Sequence, residues 1–214
     1  MPPGREELAR LVEREGVSPR VAAAFRRIAR EDFVPEDARG DAYGDRPIEI
    51  LERQTTSQPS LIARMIDAAD LLPGDRVLEI GTGFGFQTAL MATLAGEVIS
   101  VERHPSIADQ ARTNLERVGI SNVEVLLGDG WLGWSERAPY EAVIVSAAAT
   151  EVPTALGEQL VSGGRLVIPL HVGVGDEVVL FIKHGDALVR ARLLTPARFV
   201  PLVPGTPDED QSNE

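Results

Sequence analysis

The chain of 214 residues contains no cysteine, which excludes disulfides and any metal site built on thiolates. Basic residues are scarce beside acidic ones, 21 Lys+Arg against 33 Asp+Glu, for a formal net charge of −12. A nucleic-acid binder carries a dense basic face, and no stretch here supplies one. The acidic excess also argues against anionic membrane surfaces as partners. No apolar run is long enough to span a bilayer, and the opening "MPPGREELARLVE" lacks the apolar centre of a signal peptide. The expectation is a cytoplasmic protein, monomeric by default, that binds neither nucleic acid nor membrane. The histidines His104, His171 and His184 show no catalytic spacing, and no metal site is expected.

What the chain does have is 43% hydrophobic residues, enough at this length to bury one substantial core. Residues 5–15 and 19–30 have the 3-and-4 apolar spacing of amphipathic helices. Periodicity fails over residues 32–58, which Pro35, Gly40, Gly44 and Pro47 punctuate. An ordered loop or a set of short turns is expected there, and loops of that length are commonly functional. Pro59 can open a helix that Pro73-Gly74 stops. Beyond it, apolar strands at 76–80, 97–101, 123–127, 142–146 and 165–169 alternate with helices at 85–94, 105–118 and 152–160. That alternation predicts an α/β protein whose parallel sheet is covered on both faces. "DEVVLFIKHGDALVRARLL" then reads as a hairpin turning at His184-Gly185-Asp186. The expected organisation is one structural domain: residues 1–58 with the N-terminal helices and the irregular loop, a core at 59–204, and a disordered acidic tail at 205–214.

The segment "VLEIGTGFGFQTA" carries the densest chemistry. Gly81, Gly83 and Gly85 stand between a strand and a helix, where the missing Cβ atoms let a ligand approach the backbone. A dinucleotide fold wants G-x-G-x-x-G; this loop reads G-x-G-x-G, with Phe86 at the third glycine position. The phosphate-loop Gly-Lys-Ser/Thr is absent. Glu79, close before the loop, repels a pyrophosphate and suits an ammonium or sulfonium. Glu102 ends the next strand, 21 positions beyond Gly81, about the spacing of 20 at which an acid meets ribose hydroxyls. Asp129 follows the third strand, where it or its neighbouring backbone can meet an adenine amine. The combination points to S-adenosyl-L-methionine. An NAD-dependent oxidoreductase is opposed by the glycine spacing and by Glu79.

These motifs, with "FVP…AYGDRPIEI", "QTTSQP", "SVER", "GDGWLGW", "APYEAVIVSAAATEVPTAL" and "RFVPLV", resemble the protein-L-isoaspartate O-methyltransferases from about Val17 to Gly205. The resemblance implies a Rossmann-like sheet of about seven strands, mostly parallel with an antiparallel C-terminal hairpin, and an added N-terminal helical part. It implies methylation of the α-carboxylate of isoaspartyl residues in damaged proteins or peptides, followed by closure to a succinimide, with S-adenosyl-L-homocysteine as the other product. It assigns the cofactor to Glu79, Gly81, Thr82, Gly83, Gly85, Gln87, Glu102, Arg103, Asp129 and Gly130. Ser57 matches the active-site serine, Gln54 and Thr55 neighbouring pocket positions, and Arg198 and Phe199 a strand lining the substrate site through its backbone.

Ser57 is also a candidate helix N-cap, and the two roles are compatible. A carboxylate nucleophile is already ionised at neutral pH, so no base is required. The chain departs from the family in "ILERQTTS": Leu51 and Arg53 stand where glycines are usual, and Thr56 where isoleucine is. Either the loop runs differently or those positions never needed left-handed backbone. Arg53 could meet a substrate carboxylate or be a solvated surface arginine. A specialised carboxylate methyltransferase acting on another peptide, or a SAM-binding homologue without turnover, remains an alternative.

Overall fold

The computed structural model describes residues 3–206; the tail expected to be disordered lies, from residue 207, outside them. Two helices open the chain, α1 (Pro3–Arg14) and α2 (Pro19–Arg27). Pro19 starts α2 where its missing N–H costs nothing. The second helix is shorter than its spacing predicts. Ile28 turns extended (φ −98°, ψ 127°), and the chain swings Arg30 into the protein instead of along the helix surface. The aperiodic stretch then forms short 3₁₀ turns and a minimal antiparallel pair, β1 (Ile48–Glu49) with β2 (Thr55–Thr56).

Helix α3 (Pro59–Ala69) ends at Asp70 in left-handed conformation, just before Pro73-Gly74. The alternating part follows: β3 (Arg76–Ile80), α4 (Phe86–Ala92), β4 (Glu97–Glu102), α5 (Pro105–Arg117), β5 (Val123–Leu127), β6 (Tyr140–Val145), α6 (Thr154–Glu158), β7 (Leu160–His171), β8 (Asp176–His184) and β9 (Ala187–Ala197). The order across the sheet is β5-β4-β3-β6-β7-β8-β9. Its first five strands run parallel; β8 and β9 are antiparallel additions. This is the seven-stranded, mostly parallel sheet with a C-terminal hairpin that the sequence implies.

Period-two alternation divides the core. Val77, Val98, Ala142, Ile144 and Val167 face the layer of α1 to α5. Leu78, Ile99, Val143, Val145 and Leu166 face the other side, which α6 and the two tryptophans cover. Strands buried on both faces need apolar residues at every position, hence the unbroken "AVIV" of β6. The helix expected at 152–160 contracts to five residues. Leu160 pairs with Tyr140 and starts β7 early, with an irregularity in the ladder between Tyr140 and Ala142.

The chain lays β3, β4 and β5 outward on one side, then returns to place β6 and β7 on the other. Strand order therefore reverses between β3 and β6, and the crevice beyond the C-terminal ends of these strands is where open α/β sheets bind ligands. Gly81 and Ser146 face each other across it: a Cβ built on Gly81 would lie 3.4 Å from that of Ser146.

Candidate active site

Two cavities open at this reversal. The first, of about 380 Å³, is lined by the glycine loop, the end of β4, Gly130 and the segment Gln54 to Ser57. The second, of about 400 Å³, lies beside it and is lined by Asp45, Arg64, Arg198 and Phe199 among others. Thr55, Ser57, Ser146 and Val200 line both. A molecule in either cavity meets the same hydroxyl-bearing partition.

The glycine loop adopts φ values of 89° at Gly81, 55° at Gly83 and 94° at Gly85, a run that side-chain-bearing residues resist. It is held by Glu102, whose Oε2 accepts from the Gly83 amide at 3.0 Å. Oε1 of Glu102 accepts from Arg103 N at 2.9 Å and His104 N at 3.1 Å. Glu102 is 6% exposed, and burial pushes its carboxyl above the ordinary carboxylate value against those three backbone bonds. The Gly83 amide is therefore committed to a carboxylate that would repel a diphosphate. Three of the carboxylate's roughly four acceptor sites are taken; the one left, on Oε2, suits a ribose hydroxyl. Gly130 allows close approach; a Cβ there would lie 2.3 Å from Ile80 Cγ2. Leu202 and Val203 also line the cavity.

The candidate residues divide by position. Gly81, Thr82, Gly83, Gln87, Glu102, Arg103 and Gly130 line the first cavity, with Gln54, Thr55 and Ser57 on its near side. Glu79, Gly85 and Asp129 stand behind the wall. Glu79 has no exposed surface. Its Oε1 accepts from Gln87 Nε2 at 2.9 Å, and its Oε2 from Thr88 Oγ1 at 2.5 Å and Ser100 Oγ at 2.6 Å. Burial raises its carboxyl to about 7, opposed by those three hydrogen bonds and assisted by the negative charge of Glu102. Gln87 continues to Ser146 Oγ at 2.8 Å, so Glu79 reaches the cavity through a neighbour. Gly85 faces Leu115 and Phe33. Asp129 binds the Trp131 amide and the Gly205 amide, each at 2.8 Å; Gly130, its neighbour, meets the cavity instead.

Ser57 is half-buried and does not cap α3. The cap position belongs to Gln58, with no side-chain cap bond, and the Ser60 amide is taken by Asp45 Oδ1 at 2.9 Å. Arg198 and Phe199 line the second cavity. The Phe199 amide donates to Asp176 Oδ2 at 2.8 Å, and Val200 O accepts from Ala148 N at 2.8 Å. Those two backbone groups are committed within the chain and are not offered to a peptide. Arg53 takes φ 55°, left-handed where the resemblance places a glycine, and lines the first cavity only. Among the described residues no group of His, Cys, Asp and Glu is placed to hold a metal.

Sequence reasoning missed two residues. Ser146 follows β6, and the rule that singled out Glu102, a polar residue ending an apolar strand, would have found it. Arg30 closes the periodic stretch 19–30, where the spacing reads it as helix surface; the structure places it at the start of a short 3₁₀ turn, Arg30–Phe33, instead.

A strand-order reversal, a left-handed glycine loop and a buried acid ending the neighbouring strand define the Rossmann-like methyltransferase class. Residues 4–206 match the family described as Protein-L-isoaspartate(D-aspartate) O-methyltransferase (PCMT). The protein-L-isoaspartate O-methyltransferase of Methanoculleus marisnigri is 47% identical over 184 residues, 86% of this chain and 83% of its own. A solved structure of a protein-L-isoaspartate O-methyltransferase superposes with TM-score 0.83 at 34% identity, over 92% of this chain and 65% of that one. A Plasmodium falciparum protein assigned to the same enzyme class, crystallised with S-adenosyl-L-homocysteine, shares the fold at TM-score 0.81 and 23% identity. The chain belongs to the protein-L-isoaspartate O-methyltransferase family.

Proposed function

We propose that the protein transfers a methyl group from S-adenosyl-L-methionine to the α-carboxylate of L-isoaspartyl residues in damaged proteins or peptides. The observation that carries this reading is the shared partition: Ser57 and Ser146 each line both the cofactor cavity and the polar cavity beside it. The donor supplies a sulfonium-activated methyl group, already a good electrophile. Gly81, Gly83 and Glu102, which line the first cavity, would hold it, with Glu102 available to a ribose hydroxyl and Gly130 to the base.

The remaining work falls to the chain's own groups. An isoaspartyl α-carboxylate is ionised at neutral pH, so the protein needs to orient it and strip its water rather than deprotonate it. Ser57 donates a hydrogen bond to one carboxylate oxygen and leaves the other facing the methyl. Ser146 Oγ accepts from Gln87, which leaves its own proton free to donate across the partition. The following residue's amide nitrogen then attacks the methyl ester carbonyl and expels methanol, closing a succinimide without the enzyme. Hydrolysis of the succinimide regenerates some normal aspartate, which is repair.

The chain works as one domain, with residues 1–58 supplying the substrate loop and 59–204 the cofactor core. It acts as a monomer, and its want of cysteine and its negative charge suit the cytoplasm better than a membrane or nucleic acid. Methyl transfer to an isoaspartyl peptide but not to its aspartyl twin is the expected result. Equal inactivity on both, with cofactor bound normally, would make the chain a SAM-binding homologue without this activity.

A further inference from the structure

We propose that Arg30 is a positioning residue for methyl transfer, fixing the Ser57 segment against the wall of the cofactor cavity. The inference rests on the functional reading above and adds a residue to it. Arg30 is 0% exposed, a rare condition for an arginine. Its guanidinium spends four N–H groups on backbone carbonyls of the irregular loop. Nη1 donates to Ala42 O at 3.1 Å and Gly44 O at 3.0 Å, and Nη2 to Arg46 O and Ser57 O, each at 3.0 Å. The planar fork of arginine suits this, since its donors diverge in fixed directions. No α-helix or long strand orders residues 42–57, so one buried cation gathers the carbonyls of Ala42, Gly44 and Arg46 together with that of the more distant Ser57.

The same guanidinium lies 5.8 Å from the ring centroid of Phe86, within cation–π range. Phe86 begins α4 and lines the cofactor cavity. Phe25 meets its ring edge-on at 5.8 Å, and Phe33 meets it at a tilt of 50° at 6.0 Å, so the ring is braced from two further sides. Arg30 therefore touches the substrate loop at the Ser57 carbonyl and the cofactor wall at Phe86. It makes no contact with either ligand cavity itself; its effect is on the relative placement of two walls. Displacement of a reacting group by about 1 Å can cost about 100-fold in rate.

The test compares Arg30→Lys and Arg30→Met with the wild type. A lysine keeps the charge but lacks the fork, and methionine keeps only the stem. The readouts are kcat for an isoaspartyl peptide, affinity for S-adenosyl-L-homocysteine, and amide hydrogen exchange across residues 54–57. Leu160→Ala serves as a stability-matched control, since Leu160 packs in the core at the opposite end of the sheet. The expected result is a kcat loss of about 100-fold for Arg30→Met and a smaller one for Arg30→Lys. Exchange at residues 54–57 should quicken in both, with product affinity nearly unchanged. If Arg30→Met does not fold, Arg30→Lys alone must show the split. A kcat loss no larger than that of Leu160→Ala at equal melting temperature, or a loss carried wholly by product affinity, would overturn the proposal. A wild type inactive on the isoaspartyl peptide would refute the functional reading, and the exchange comparison would still decide whether Arg30 orders the Ser57 segment.

Discussion

The Gly83 amide donates to Glu102 Oε2 at 3.0 Å, and this single bond ties the cofactor loop to the acid that ends β4. The carboxylate is thus fixed before any ligand arrives, with one acceptor site on Oε2 left for the ribose hydroxyl proposed to bind there. Glu102→Ala should weaken S-adenosyl-L-homocysteine binding by about 1–3 kcal/mol, the cost of leaving buried polar groups without a partner. Titration calorimetry measures it directly. An unchanged dissociation constant would remove Glu102 from the ribose site.

Ser57→Ala separates two roles that sequence alone leaves together. Gln58 holds the cap position of α3 and Asp45 the Ser60 amide, so losing the Ser57 hydroxyl should change stability by less than about 0.5 kcal/mol. Turnover on an isoaspartyl peptide should fall by about tenfold or more through lost orientation, while product affinity holds. Thermal melts and initial rates on the same preparation suffice. A drop in melting temperature with unchanged rate would return Ser57 to a structural role.

The sheet was legible because its strands are buried on both faces and its helices on one, which prints different periodicities into the sequence. The wall of the first cavity was legible for a related reason: Gly81, Gly83 and Glu102 sit where strands end, at fixed separations. The substrate side was less so. Residues 32–58 have no regular period, and much of what joins them comes from Arg30, whose partners are backbone carbonyls that any sequence would offer. Glu79 and Asp129 were found at strand ends as expected. Which way their side chains turned depended on Gln87, Thr88 and the distant Gly205, and no local pattern encodes that.

Glu79 gives the protein a pH dependence of predictable sign. Its carboxyl sits at about 7 in the folded chain against a reference value of 4.5, so the folded state keeps a proton that the unfolded chain releases. The stabilisation is fully present below about 4.5 and lost as pH climbs through about 7. Glu79→Gln should flatten that part of the stability profile, because the amide cannot ionise; the Gln87 amide turns over to accept from it, with Ser146 as donor. Denaturant melts of both proteins at pH 4.5–8 test this. Parallel profiles would mean that the three hydrogen bonds keep Glu79 ionised throughout.

Arg53 bears a conformational cost. At φ 55° a residue with a side chain loses about 1–2 kcal/mol relative to glycine, while glycine gives back about 0.5–1 kcal/mol through its freer unfolded state. Arg53→Gly should therefore stabilise the protein by about 0.5–1 kcal/mol. Arg53 lines the cofactor cavity and not the second one, so turnover on isoaspartyl peptides should stay within about twofold, in keeping with a side chain that makes no transition-state contact. A large rise in peptide KM would instead identify Arg53 as a cation for the substrate carboxylate.

Asp129 braces the first cavity from behind. Its Oδ1 accepts from Trp131 N and its Oδ2 from Gly205 N, which ties down the segment carrying Leu202 and Val203, both lining the cavity. That segment is further pinned by Leu202 N to Ala148 O at 2.7 Å. Asp129→Ala frees the Gly205 anchor and leaves two amides without their acceptor. Stability should fall by about 1–3 kcal/mol, and product should dissociate faster through a looser cover. Asp129→Asn retains one acceptor oxygen and should fall between. Stopped-flow displacement of S-adenosyl-L-homocysteine reads the rate. A dissociation rate unchanged in the alanine variant, at a temperature where it remains folded, would show that the cover is held by Ala148 alone.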